Sequence, residues 1–141
     1  MARRILIMGL PGAGKTTLAA ALVNMLGADQ VTWFNADQVR RKYNDWDFSE
    51  SGRVRQSTRM REMADAAETV FVICDFVAPL QQQRDTYAAD ITVWMDTVSH
   101  SSYADTDAVF SAPATCDFRI TEKHAEKWAK IVCDHLNKYA S

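Results

Sequence analysis

Residues 9–16 read G-L-P-G-A-G-K-T, which fits G-x-x-x-x-G-K-[ST] at every fixed position. Glycines at this spacing let a turning backbone aim successive N–H groups inward, at the positive end of a following helix. The lysine then reaches the terminal phosphates, and the threonine hydroxyl is placed to ligate Mg²⁺. Gly12, Ala13, Gly14, Lys15, Thr16 and Thr17 are therefore expected to hold a nucleoside triphosphate. A plain glycine turn between a strand and a helix is the bland alternative.

Two further groups suggest what happens to the phosphate. Asp37 and Arg40, in N-A-D-Q-V-R, lie three apart on what reads as a first helical turn, so both side chains can point one way. A carboxylate there orients and partly deprotonates an attacking hydroxyl, while an arginine grips an acceptor's anionic group. The competing explanation is a helix-start aspartate paired with a surface arginine. Asp75 ends the apolar run V-F-V-I-C-D, as a carboxylate delivered at the C-terminal edge of a buried strand. It is expected to hold Mg²⁺ or its water shell together with Thr16 and Asp37, or else to cap the turn before Phe76.

These residues need a scaffold of strands followed by helices. Residues 4–8, 31–34, 70–74, 91–95 and 117–120 read as strands, the first four rich in apolar or β-branched residues. Helical spacing marks 16–26, a short helix from Asp37, 50–68 with Ser49 as N-cap, a short helix after Pro79, and 123–139. In that last helix Trp128, Ile131, Val132, His135 and Leu136 form the expected apolar stripe. The alternation predicts an α/β fold of the P-loop NTPase type, a three-layer sandwich with a parallel sheet of about five strands covered on both faces. No repeat or linker interrupts the chain, so residues 1–141 are expected to form one domain. The polar stretch 97–113 lacks a period and reads as a loop.

Composition removes several classes. The chain is 48% hydrophobic and 24% charged with a formal net charge of −2, an ordinary balance that makes no general case for nucleic-acid or membrane binding. Its apolar runs fall short of the ~20 residues of a membrane span. Cys74, Cys116 and Cys133 are odd in number and widely spaced, which argues against a disulfide framework and fits a reducing cytoplasm. Charge is nevertheless uneven. Arg40, Arg41, Lys42, Arg53, Arg55, Arg59 and Arg61 are seven of the sixteen basic residues, with few neighbouring acids, whereas 85–118 holds no Lys or Arg. Trp33, Trp94 and Trp128 are expected in the core, and Trp46 is expected to be exposed or beside a substrate.

The segments G-L-P-G-A-G-K-T-T-L-A, N-A-D-Q-V-R, D-F-S-E-S-G-R and D-F-V-A-P-L-Q-Q-Q-R together resemble the adenylylsulfate kinases, in order from Ile5 to about Arg84. The resemblance implies a compact kinase that moves the γ-phosphoryl group of ATP, with Mg²⁺, to an alcohol. By matching position it makes Asp37 the aspartate near Mg²⁺ and the acceptor hydroxyl. Arg40 and Arg53 match acceptor-binding arginines, Gln56 stands where the family usually has an acceptor-binding asparagine, and Phe76 matches an aromatic beside the acceptor pocket.

Departures from the family redirect the acceptor. Ala36 replaces the middle glycine of D-G-D, Gly52 replaces an aspartate, Ala78 replaces the serine of F-I-S-P, and the family's basic lid between the fourth and fifth strands has no counterpart in charge. N-A-D-x-V-R, R-M-R, D-F-V-x-P and V-W-M-D-T are similar to short phage-encoded proteins that resemble 5-hydroxymethyluracil DNA kinases. That likeness implies hydroxymethylated DNA as the acceptor, in a host cytoplasm, with the 40–61 stretch on DNA phosphates and Trp46 or Phe76 stacked on a displaced base. Adenylylsulfate is the other acceptor, and a non-catalytic nucleotide switch is the reading from a different class. The sequence leaves oligomerisation open.

Overall fold

The computed structural model describes residues 2–140. Five strands, β1 (Arg3–Met8), β2 (Val31–Asn35), β3 (Phe71–Asp75), β4 (Ile91–Met95) and β5 (Phe118–Ile120), form one sheet in the order β2-β3-β1-β4-β5. Every pairing is parallel. Parallel neighbours need crossovers, and these are supplied by α1 (Lys15–Leu26), α2 (Ala36–Tyr43), α3 (Glu50–Ala66), α4 (Gln81–Tyr87) and α5 (Ala104–Val109), with α6 (Ala125–Ala140) closing the chain.

Strand alternation sorts the core into two layers. Ile5, Ile7, Phe71, Ile73, Ile91 and Val93 point toward α1 and α6 and pack on Leu18, Leu22, Val132 and Leu136. Leu6, Met8, Val72 and Cys74 point the other way, onto Met60, Ala64 and Tyr87 of α3 and α4. This is the predicted three-layer sandwich with helices on both faces. The stripe on α6 is corrected at one position. Ala129, Val132, Cys133 and Leu136 are buried, while Ile131 is 40% exposed. His135 stays at the apolar border, edge-on to Phe118 with 5.4 Å between ring centroids. All three cysteines are free. Among the described residues no helix is long and apolar enough to cross a membrane.

The largest surprise in the fold is α5, six residues inside the stretch read as a loop. None of its residues is buried, so it has no apolar period to read. Tertiary bonds hold the segment instead. Arg53 Nη2 donates to Thr106 Oγ1 (3.2 Å), Ser111 N donates to Pro79 O (2.9 Å), and Arg84 Nη2 donates to Ser111 O.

Gly52, at the start of α3, explains one departure from the family pattern. A Cβ at this position would meet the backbone carbonyl of Asp47 and lie 2.5 Å from its Cγ. The space beside Arg53 is thus filled by Asp47, reaching over from the preceding loop. Gly52→Asp, which restores the family residue, is expected to cost about 1–3 kcal/mol through overpacking. Denaturant unfolding checks this, and an unchanged midpoint would contradict it.

Candidate active site

In an open parallel sheet, ligands bind beyond the carboxyl ends of the strands, where chain connections part to opposite sides. Here β1 lies between β3 and β4, and the chain runs out to β2 on one side before returning through β3 and crossing to β4. A cleft of about 920 Å³ opens at that edge, lined among others by Lys15, Thr16, Asp37, Arg40, Arg53 and Asp75. Gln56, Phe76 and Trp46 also line it.

The phosphate loop joins β1 to α1. Gly9, Gly12 and Gly14 all have positive φ, and at Gly9 (φ +152°) a Cβ would stand 2.6 Å from Met95 O. No side chain caps α1 and its first turn carries no acid, so the first N–H groups of the helix keep their affinity for an anion. The loop is braced from behind, because Thr97 Oγ1 donates to Ala13 O at 2.6 Å. Ala13 N donates to Leu10 O at 3.1 Å, and Lys15 Nζ donates to the same carbonyl at 3.0 Å. Burial pushes the Lys15 ammonium down to about 8, opposed first by Asp75 and then by Asp37. Ala13, Gly14 and Thr17 do not line the cleft with the others.

Asp75 is paired across the sheet with Asn35 on one side and Ile7 on the other, which brings its carboxylate beside the loop. Only 2% exposed, it accepts from Trp33 Nε1 (2.6 Å) and from Asn35 Nδ2 (3.0 Å to Oδ1). Burial raises its proton affinity, and the Trp33 and Asn35 bonds pull it back. Asn35 Nδ2 also lies 3.4 Å from Thr16 Oγ1, and Asn35 Oδ1 caps α2 by accepting from Gln38 N (3.2 Å). One side chain therefore ties together the loop threonine, the strand-end aspartate and the helix that carries Asp37. Trp33 is corrected accordingly: it packs against the core but also orients Asp75. The signal was available, because alternation puts 33 and 35 of β2 on the face to which Asp75 points.

Asp37 is exposed on the first turn of α2, and its side chain makes no hydrogen bond among the described residues. Arg40 does not pair with it. Arg40 is 4% exposed, and its Nη1 donates to Asp45 O (3.0 Å) and Asp47 O (3.2 Å). Arg53, 6% exposed, donates from Nε to Phe48 O at 2.9 Å. Burial lowers the proton affinity of both guanidiniums, and among the described residues neither has a carboxylate within ion-pair distance. Gln56 is bonded inside the protein, donating to Ala36 O (3.1 Å) and accepting from Arg59 (3.0 Å). Phe76 is buried edge-on against Tyr87. Trp46 and Phe48 are about half exposed on the cleft rim, 47% and 51%.

The basic stretch 40–61 needs the clearest correction. Arg55 binds Asp45 (2.9 Å) and Asp47 (3.0 Å), Arg59 binds Asp45 (2.9 Å), and Arg61 donates to Thr86 O. With Arg40 and Arg53 buried, the stretch is no continuous basic face, and of its residues only Arg41 is both exposed and on the cleft lining.

The family model for adenylylsulphate kinase matches residues 1–120. The chain belongs to the adenylylsulphate kinase family. Among solved structures it is similar to APE1195, with a TM-score of 0.80 at 18% identity over 99% of this chain and 97% of that one. It is also similar to the Mycobacterium tuberculosis APS kinase CysC in complex with AMPPNP and APS, with a TM-score of 0.77 at 20% identity over 96% and 98%. A shikimate kinase from Acinetobacter baumannii gives 0.65 at 17% identity over 99% and 95%. No curated protein matches the chain. Family membership makes this chain a phosphotransferase with an alcohol acceptor, which replaces the reading as a non-catalytic switch.

Proposed function

We propose that this kinase uses ATP to phosphorylate a hydroxymethyl group on a base in DNA, of the 5-hydroxymethyluracil type. The observation that carries this reading is the construction of the cleft mouth. Trp46 and Phe48 stand half exposed, and Tyr103, 61% exposed just before α5, lines the same cleft. Aromatic faces at an open mouth suit a displaced base. The 96–117 segment, which carries Tyr103, has no Lys or Arg and brings Asp105 to the cleft, so it supplies no cation to enclose a small anion.

In this mechanism the loop amides and Lys15 hold the triphosphate. Thr16, Asp37 and Asp75 would hold Mg²⁺, since a hydroxyl and two carboxylates form the hard oxygen set that this ion takes. Bound there, Mg²⁺ would supply positive charge against the phosphates of the nucleotide. Asp37 accepts the proton of the acceptor hydroxyl as its oxygen bonds to the γ-phosphorus and the bond to ADP breaks. Lys15 then stabilises the charge that develops on the leaving group. Arg40 and Arg53 hold the acceptor's anionic group, Gln56 positions the pair through Arg59 and Ala36, and Phe76 forms the apolar floor. One domain carries all of these roles.

Adenylylsulfate is the second reading, favoured by the two buried arginines that have no carboxylate partner and by the CysC structure, solved with AMPPNP and APS. Labelled ATP given with each acceptor separates the two. Transfer to a hydroxymethyluracil oligonucleotide and none to adenylylsulfate is expected, and the reverse would overturn the DNA reading.

A further inference from the structure

The two arginines at the acceptor end of the cleft are held in place by backbone. Three of their hydrogen bonds go to the carbonyls of residues 45, 47 and 48, in the connection between α2 and α3. Both guanidiniums also lie on the ring of Phe48, from the same connection, at 4.2 and 5.5 Å from its centroid. Whatever fixes this segment fixes the direction of both cations.

Of the side chains in this segment, Asp45 makes the most hydrogen bonds to side chains of α3, three against one from Asp47. Asp45 Oδ2 accepts from Arg55 Nε (2.9 Å) and Arg59 Nη2 (2.9 Å), and Oδ1 accepts from Arg55 Nη2 (3.2 Å) and Asp47 N (3.2 Å). Arg55 and Arg59 are one helical turn apart on α3, so the carboxylate spans a turn of the helix that also carries Arg53 and Gln56. Its side chain is 14% exposed, unlike the Asp47 carboxylate at 45%, which makes a single ion pair with Arg55. Arg59 is packed on the Tyr43 ring at 4.2 Å and donates to Gln56, so it is itself held.

We propose that Asp45 is a positioning residue for acceptor binding: by clasping Arg55 and Arg59 it holds the 45–48 carbonyls that aim Arg40 and Arg53 into the cleft. The inference rests on the reading that these two arginines bind the acceptor. It gives a purpose to charges that the sequence suggested for DNA phosphates. Arg55 and Arg59 act through Asp45 on the acceptor site.

The test is steady-state kinetics on the full chain, with a duplex oligonucleotide carrying 5-hydroxymethyluracil as acceptor and adenylylsulfate in a parallel series. Asp45→Asn should raise the acceptor KM by about ten- to hundredfold, since small misplacements of binding groups carry that cost. kcat and ATP affinity should stay near wild type, and Asp45→Glu should recover part of the loss. A chain with Arg55→Gln and Arg59→Gln keeps Asp45 but removes its partners, and should show the same KM; this variant serves if Asp45→Asn does not fold. An unchanged acceptor KM in these variants, while Arg40→Ala raises it, overturns the clasp and leaves the arginine reading standing. An unchanged KM in Arg40→Ala as well overturns both. Equal losses of ATP affinity and acceptor affinity would make Asp45 a general stability residue and also overturn the proposal.

Discussion

Asp37→Asn lowers kcat by about two to four orders of magnitude while ATP affinity measured without Mg²⁺ stays within about twofold of wild type. The expectation follows from what Asp37 does not do in the fold. It does not cap α2, because Asn35 does, and it makes no ion pair with Arg40, whose donors go to backbone carbonyls. An exposed carboxylate at a helix N-terminus contributes at most a fraction of a kcal/mol to about 1 kcal/mol through the dipole. The amide variant should therefore fold and bind nucleotide, yet it cannot accept the acceptor's proton. Rapid-quench measurement of transfer, with nucleotide titration alongside, checks both halves. Full transfer activity in Asp37→Asn would remove Asp37 from the mechanism.

Lys15→Met should lower kcat by about two to three orders of magnitude, the scale for losing a donor aimed at charge that develops in the transition state. It also yields a pH signature. Burial places the Lys15 ammonium at about 8, below the 10.5 of a free lysine. The unfolded chain thus holds this proton more tightly, so the cost to folding is full below pH 8 and fades between about 8 and 10.5. Phosphate binding favours the charged form. Wild-type ATP affinity should accordingly be flat up to about pH 8 and then fall, by up to tenfold per pH unit. Lys15→Met should show no such break. Calorimetric titrations across that range decide it, and a wild-type affinity independent of pH would contradict the assignment.

The parts of the molecule legible in the sequence are those governed by local pattern. The phosphate loop, the strand that ends at Asp75 and the Ser49 cap of α3 all lie where spacing placed them, with ends shifted by a residue or two. Strand alternation even implies the two core layers. Features made by long-range contact were not legible. α5 has no buried face to give a period, and it is held through Arg53 and Thr106, 53 residues apart in the chain. The density of arginines between 40 and 61 suggested an open basic face, because a charge count does not show the 44–49 connection folding back to place Asp45 against Arg55 and Arg59. Trp33 read as core because its ring is apolar, whereas its N–H found the buried carboxylate of Asp75. Asn35 was hidden for a similar reason: a polar residue before a helix reads as a cap, and here it is a cap that also reaches Thr16 and Asp75.

The central claim is that the γ-phosphoryl group leaves ATP for an alcohol on a base in DNA. Incubating the protein with γ-labelled ATP and a duplex oligonucleotide containing 5-hydroxymethyluracil, then digesting to nucleosides and nucleotides, tests it directly. Label recovered on the modified base, and absent from an otherwise identical thymine duplex, is the predicted result. Label found only in inorganic phosphate, or passed to adenylylsulfate and never to the modified duplex, would contradict it.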